Sequence, residues 1–343
     1  MLFAALRDMQ WRKRRLVITI ISTGLIFGMT LVLTGLANGF RVEARHTVDS
    51  MGVDVFVVRS GAAGPFLGSI PFPDVDLARV AAEPGVMAAA PLGSVGTIMK
   101  EGTSTRNVTV FGAPEHGPGM PRVSEGRSPS KPDEVAASST MGRHLGDTVE
   151  VGARRLRVVG IVPNSTALAK IPNVFLTTEG LQKLAYNGQP NITSIGIIGM
   201  PRQLPEGYQT FDRVGAVNDL VRPLKVAVNS ISIVAVLLWI GSVVYLSALE
   251  RLRDFAVFKA IGTPTRSIMA GLALQALVIA LLAAVVGVVL AQVLAPLFPM
   301  IVAVPVGAYL ALPVAAIVIG LFASVAGLKR VVTVDPAQAF GGP

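Results

Sequence analysis

Four stretches of the chain contain no Asp, Glu, Lys, Arg or His: Leu16 to Phe40, Val226 to Leu249, Ser267 to Ala295 and Met300 to Leu328. A helix rising about 1.5 Å per residue needs about 20 apolar residues to cross roughly 30 Å of hydrocarbon, and each stretch meets that length. In lipid, only a helix satisfies its own backbone hydrogen bonds without closing into a barrel. The pattern therefore predicts four transmembrane helices, at 16–40, 226–249, 267–295 and 300–328. The last two are separated only by Pro296-Leu297-Phe298-Pro299, with Pro305 and Pro313 beyond, so their boundary is loosely specified. Ahead of the first stretch, Leu2, Phe3, Leu6 and Met9 gather on one helical face with basic residues mostly opposite. That spacing predicts an amphipathic helix over 1–15 along the inner membrane surface, the alternative being a merely charged flank.

Between the first two spans the pattern changes. Val53 to Val58, Gly93 to Met99, Asn107 to Phe111, Thr148 to Val151, Leu156 to Val162 and Ile192 to Ile198 are β-branched-rich runs bounded by Gly, Pro, Asn or Ser, which is how strands read. Asp74 to Ala82 and Thr178 to Ala185 have helical spacing and caps, so residues 41–225 are expected to form one large α+β domain. Gly61 to Pro73, rich in Gly and Pro, reads as a mobile loop, and Phe211 to Leu224 as a helix feeding the second span.

Composition supports the bilayer: 52% of residues are hydrophobic and only 15% charged. The formal charge of +9 sits largely beside the apolar stretches and comes with no nucleic-acid motif, so anionic lipid and membrane insertion explain it and nucleic acid is not an expected partner. Basic residues also set orientation. Arg7, Arg12, Lys13, Arg14 and Arg15 precede the first span, Arg251, Arg253, Lys259 and Arg266 join the second to the third, and Lys329 and Arg330 follow the fourth. By the positive-inside bias both termini are cytoplasmic and residues 41–225 lie outside a bacterial cytoplasmic membrane. The first apolar run is longer than a signal-peptide core and no Ala-x-Ala site follows it, which predicts a permanent anchor.

Enzyme chemistry finds little footing. The chain has no cysteine, and His46, His116 and His144 are scattered without metal spacing or a nucleophile partner. Ser138, Ser139 and Thr140 form a hydroxyl cluster that fits helix capping, and no Gly-x-Ser-x-Gly elbow is present. Walker A is absent too, so energy is expected from a partner chain. The spans carry no ionisable residue, and Asn38, Asn229, Gln275 and Gln292 read as interhelical hydrogen-bonding groups. Gly24 and Gly28 form a small-x-x-x-small ridge suited either to a permease dimer or to packing against the second span.

The cytoplasmic segment 250–266 has helical composition up to Ile261, a Gly262 suited to the left-handed position after a helix, then Thr263-Pro264 as a fresh start. Apolar residues lie on more than one side of it: Leu252 with Phe255 and Ala256, and Phe258 with Ile261. That arrangement points to a second protein surface, the alternative being an interfacial loop whose charges set topology. In the tail 329–343, Asp335-Pro336-Ala337-Gln338 starts a short helix.

At these residues the chain resembles the FtsX-like permease family. Glu250-Arg251, Asp254, Lys259-Ala260-Ile261-Gly262 and Arg266 match its cytoplasmic signature, and Lys329-Arg330 with Asp335-Pro336-Ala337 match its terminal pattern. The outer domain is similar to the MacB-type periplasmic core at Pro73-Asp74, Pro84-Gly85-Val86, Pro91, Glu125-Gly126-Arg127, Glu134-Val135-Ala136, Leu145-Gly146-Asp147-Thr148-Val149 and Val158-Val159-Gly160-Ile161-Val162. The resemblance implies a homodimer, or a heterodimer, of four-span permeases over two separate ABC ATPases that bind ATP and Mg, this chain holding no cofactor. ATPase closure would then move the outer domains. Glu250, Arg251, Arg253, Asp254, Phe258, Lys259, Ile261 and Gly262 become the expected ATPase-coupling set. Unlike MacB itself the chain has no fused ATPase domain, and its outer domain fits stand-alone exporter permeases, the DevC-like ones included, better than the division protein FtsX. The leading expectation is ATP-driven export or extraction of a hydrophobic or envelope-bound molecule, with an accessory exporter protein as a further partner. The alternative is a transmembrane regulator of an extracytoplasmic cell-wall hydrolase.

Overall fold

The computed structural model describes residues 13–101, 104–224 and 265–333, and in it the first apolar run belongs to a single 38-residue helix, α1 (Lys13–Ser50). Without a proline or a charge between Leu16 and Phe40, nothing in the run interrupts the helical ladder. The helix also continues ten residues past the apolar run, because 41–50 are themselves amphipathic: Glu43, Ala44, Thr47 and Val48 are buried while Arg41, Arg45, His46 and Asp49 are exposed. It stops where Gly52 takes a φ of +63°.

The chain divides into two compact units, 1–39 with 227–343 and 40–226, and α1 is common to both. In the first unit α1 is joined by α5 (Thr265–Leu294), a short 3-10 turn (Ala295–Leu297) and α6 (Val306–Thr333). The predicted span 300–328 is thus corrected at its start. Met300 to Pro305 are not helical, since Pro299 and Pro305 cannot donate to a helix, and α6 then accommodates Pro313 in its interior. Leu16–Ser50 and Ala276–Leu297 are long and apolar enough to cross a membrane, and Val306–Val318 of α6 is a shorter apolar helix. Val17, Ile18, Ile21 and Leu25 of α1, Leu281, Val285 and Val289 of α5, and Leu310, Val314 and Val318 of α6 are all exposed. Apolar stripes of that extent suit lipid as solvent, not water. The predicted span 226–249 lies outside the described residues.

The second unit is α+β. Its strands are β1 (Val55–Arg59), β2 (Phe72–Pro73), β3 (Val86–Glu101), β4 (Ser104–Gly112), β5 (Glu125–Gly126), β6 (Glu134–Ser138), β7 (Thr148–Val151), β8 (Arg154–Val162), β9 (Thr166–Ala167), β10 (Ile171–Leu176), β11 (Asn191–Ile192), β12 (Ser194–Gly199) and β13 (Tyr208–Asp212). The helices are α2 (Leu77–Ala81), α3 (Thr178–Ala185) and α4 (Arg213–Leu220). One sheet runs β13-β1-β12-β3-β4-β10-β6-β8-β5, with β7 pairing β3 and β8, β9 pairing β10, and β2 with β11 separate. Most pairs are antiparallel, but β4–β10 and β6–β8 are parallel. In β4 buried Val108 and Val110 alternate with outward Asn107 and Thr109, the period of two that fixes register.

Two readings of this region change. Phe211 and Asp212 end strand β13 and only Arg213 onward is helical, the Asp212 carboxylate capping α4 through the Gly215 N–H at 2.7 Å. The helix expected at Asp74 to Ala82 is a 3-10 turn (Asp74–Asp76) followed by the short α2. The main core joins both ends of the unit. Ala44, Val48 and Met51 of α1 or just beyond it pack in one cluster with Phe56, Phe66, Phe111 and Phe175 and with Ala216, Val217 and Leu220 of α4. Phe66 meets Phe56 and Phe111 edge-on at 5.3 and 5.7 Å between centroids.

Candidate functional site

No pair of described side chains makes an obvious catalytic centre; the specific chemistry lies where α1 is gripped. Along its apolar part, Gly24 and Gly28 face α5. A Cβ on Gly24 would stand 2.7 Å from Val286 Cγ1, and one on Gly287 of α5 would stand 2.7 Å from the Phe27 Cβ. Among the described residues the Gly24–Gly28 ridge therefore packs against α5; the second span, its other expected neighbour, lies outside them. A second pair of glycines, missed in the sequence, does the same further along. At Gly39 a Cβ would fall 1.8 Å from the Ile301 carbonyl oxygen. There the extended link after α5 lies on α1, the Ala303 N–H donating to the Gly35 carbonyl and Asn38 Nδ2 donating to the Ala303 carbonyl, each at 2.9 Å. Asn38 is thus a hydrogen-bonding group, as its position predicted, but its partner is the extended link and not another helix.

Inside the outer domain the last turns of α1 are held by polar contacts. Thr47 donates to the Thr166 carbonyl at 2.8 Å and accepts from Asn173 Nδ2 at 3.1 Å, and Asn173 also donates to Ser165 Oγ. All four residues are buried, so breaking one bond strands a polar group out of reach of water. Buried Glu43 accepts the Lys170 N–H at 2.9 Å. That N–H belongs to the β9–β10 turn, where Leu168, Ala169 and Lys170 have φ values of 21°, 59° and 60° although none is glycine. Such residues cost about 1–2 kcal/mol each, so the helix holds a strained turn in place.

The domain's other end is clamped by Asp219 of α4. Its fully buried carboxylate accepts the Phe66 N–H at 2.7 Å and the Gly68 N–H at 3.1 Å, and pairs with Arg222 at 2.5 Å. Gly64 and Gly68 make this possible, since Cβ atoms there would fall 2.1 Å from Asp219 Cγ and 1.9 Å from Arg222 Nη2. The loop expected to be mobile is in fact pinned, with Phe66 and Phe72 turned into the core. A second ion pair joins motif residues: Arg127 forks onto Glu134 through Nη1 at 2.8 Å and Nη2 at 2.5 Å, while Ser130 N–H and Lys131 N–H donate to the same carboxylate.

Residues 16–203 match the MacB-like periplasmic core domain and residues 226–336 match the FtsX-like permease C-terminal family. The chain is an FtsX-like ABC transporter permease. It is 98% identical over 349 aligned residues, covering all of both chains, to an uncharacterized ABC transporter permease of Mycobacterium tuberculosis (strain ATCC 25618 / H37Rv). To an uncharacterized ABC transporter permease of Mycobacterium bovis (strain ATCC BAA-935 / AF2122/97) it is 75% identical, again over the whole of both chains. Among solved structures, the periplasmic region of MacB from Actinobacillus actinomycetemcomitans aligns with a TM-score of 0.35 at 13% identity, covering 49% of this chain and 92% of that one. The extracellular domain of the ABC-type transporter YknZ from Gram-positive bacteria aligns with a TM-score of 0.34 at 13% identity, covering 47% and 99%.

Within the permease, the Glu-Gly-Arg and Glu-Val-Ala motifs gain a physical meaning as the two halves of the Arg127–Glu134 clamp. The Arg127 fork, and after it the Ser130 and Lys131 N–H groups, pull the Glu134 carboxyl from an ordinary 4.5 down to about 2 against the opposing effect of burial. A depressed folded-state value contributes stability above the ordinary value, and that stability is lost as pH falls from 4.5 toward 2. Glu134→Gln should therefore destabilise the purified permease by about 2 kcal/mol near neutral pH. Calorimetric scans of both proteins should show the gap closing toward pH 2; a gap constant across that range would mean the ion pair is not its source.

Ser138 Oγ accepts the Thr140 N–H and caps a 3-10 turn, as the capping reading anticipated. His46, His116 and His144 join no metal-binding group among the described residues. A cavity lined by Met51, Phe66, Leu92, Phe111 and Ser194 measures about 10 Å³, room for one water. Glu250, Arg251, Arg253, Asp254, Phe258, Lys259, Ile261 and Gly262 lie outside the described residues.

Proposed function

We propose that this permease transmits work from a separate ABC ATPase to its outer domain, and so exports or extracts a hydrophobic or envelope-associated molecule. In this reading the chain spans the membrane four times with both termini and 250–266 in the cytoplasm, and two copies stand over two ATPases. The observation that carries the proposal is α1, which runs unbroken from Lys13 to Ser50 and ends in the main core of the outer domain. A helix is stiff over that length, so displacement at its cytoplasmic end reaches the domain without an intervening loop. The absence of ionisable residues from the apolar stretches, and the use of Asn38 for packing, favour transmitted motion over conduction of a small ion.

The test is to co-purify the ATPase with wild-type, Phe258→Ala, Arg253→Ala and Gly262→Val permeases at matched expression. If Phe258 anchors in a groove of the ATPase, its truncation should weaken association by about 2 kcal/mol, roughly 30-fold, while removing a rim charge at Arg253 costs less. Gly262→Val should keep recovery but lower stimulated ATP hydrolysis, by misdirecting the link into α5. Wild-type recovery and stimulation in all three would remove 250–262 as the coupling element.

A further inference from the structure

Under the topology just proposed, the outer unit meets the membrane at Phe40 and Val226, and what packs beside those ends lies within reach of lipid. Arg222 stands four residues before Val226, at most about 14 Å of chain. Its guanidinium is fixed over Gly68 by Asp219, which also holds the backbone of Phe66 and Gly68. The turn at 66–70 is stiffened further by Ser69 Oγ donating to the Phe66 carbonyl at 2.7 Å and by Ala63 N–H donating to the Gly68 carbonyl at 2.8 Å. So anchored, the turn sends Phe66 inward and leaves Leu67 and Ile70 outward, 48% and 42% exposed. Exposed aliphatics are ordinary singly. Here two of them sit on a pinned turn, against an arginine that stands four residues of chain from the end of the unit.

We infer that the 66–70 turn is a membrane wedge: Leu67 and Ile70 enter the interfacial zone of the outer leaflet while Arg222 donates its free N–H groups to lipid phosphate. The chemistry is that of an amphipathic anchor, with apolar side chains below the headgroups and a cation level with them. Asp219 leaves Arg222 donors to spare, since a guanidinium carries five N–H groups. The wedge would tie the outer domain to the leaflet from which a hydrophobic substrate is drawn.

The cysteine-free chain allows a direct test. Leu67→Cys, Ile70→Cys and, as a control, Leu145→Cys each introduce a single thiol. Leu145 matches Leu67 at 47% exposure but lies beside β5, at the other end of the sheet order from β13. Full-length variants in phosphatidylglycerol-containing nanodiscs are labelled with an environment-sensitive fluorophore and titrated with spin-labelled phospholipid. The inference expects blue-shifted, quenched emission at 67 and 70 and neither change at 145. Emission at 67 and 70 indistinguishable from that at 145 overturns the wedge, and so does a blue shift without quenching, which would mean that protein and not lipid covers the turn. A membrane-impermeant maleimide on intact cells separates the underlying topology: if Leu145→Cys is not labelled from outside, the topology and the wedge fall together, and if it is labelled only the quenching decides.

Discussion

Gly39→Ala is expected to lower the thermal unfolding temperature of the purified permease by several degrees, corresponding to about 2–4 kcal/mol. The added Cβ would stand 1.8 Å from the Ile301 carbonyl oxygen and 2.8 Å from its carbon, and both are backbone atoms that no rotamer change can move. The link after α5 would have to retreat from α1 by well over an ångström. That retreat breaks the Ala303–Gly35 and Asn38–Ala303 hydrogen bonds in an apolar environment where water does not replace them. Gly96→Ala is the matched control, because a Cβ there meets nothing within 4 Å. Scanning calorimetry in detergent compares the two; equal melting would mean that the link is not seated on α1.

Arg41→Pro is expected to uncouple the permease without unfolding either unit. Arg41 is exposed, so no packed side chain is lost. Proline there removes the N–H that bonds the Ala37 carbonyl and drives its ring into that turn, kinking α1 at a local cost of about 3 kcal/mol. The kink falls next to the boundary between the two units, at Gly39 and Phe40. Membrane insertion and ATPase recovery should match wild type while ATP-dependent movement of the outer domain is lost. Arg41→Ala, which keeps the helix, should behave as wild type; an equal loss in both would assign the effect to the charge.

The parts of this architecture that are local in sequence were legible, and those that depend on distant partners were not. An uncharged apolar run announces a helix such as α1 or α5 by itself. The extension of α1 to Ser50 was also written in the spacing of Glu43, Ala44, Thr47 and Val48, but the charges from Arg41 onward ended the apolar run and so placed 41–50 in the outer α+β domain with no helix assigned. Strand β6 has an Ala-rich sequence and β10 contains Pro172, so neither shows the β-branched pattern by which strands are recognised, and both rely on parallel pairing with remote strands. Gly35 and Gly39 could not be separated from the other glycines, because the segment that needs them to be small lies more than 260 residues further on. The same holds for Gly64 and Gly68, whose partners Asp219 and Arg222 turned a supposed mobile loop into a clamped one. Motif resemblance identified Glu125-Gly126-Arg127 and Glu134 without explaining them; the fork between Arg127 and Glu134 supplies the reason.

Under the proposed function, nucleotide-driven work reaches the outer domain through an unbroken α1. This is tested most directly by pulsed electron paramagnetic resonance between spin labels on Leu145→Cys of the two copies, with the ATPase bound, in nucleotide-free and ATP-trapped states. The distance distribution is expected to shift between the two states in the otherwise wild-type protein and to stay fixed when Arg41→Pro is added. Unchanged distributions in the protein with an intact helix, while its ATPase hydrolyses ATP at the stimulated rate, would contradict it.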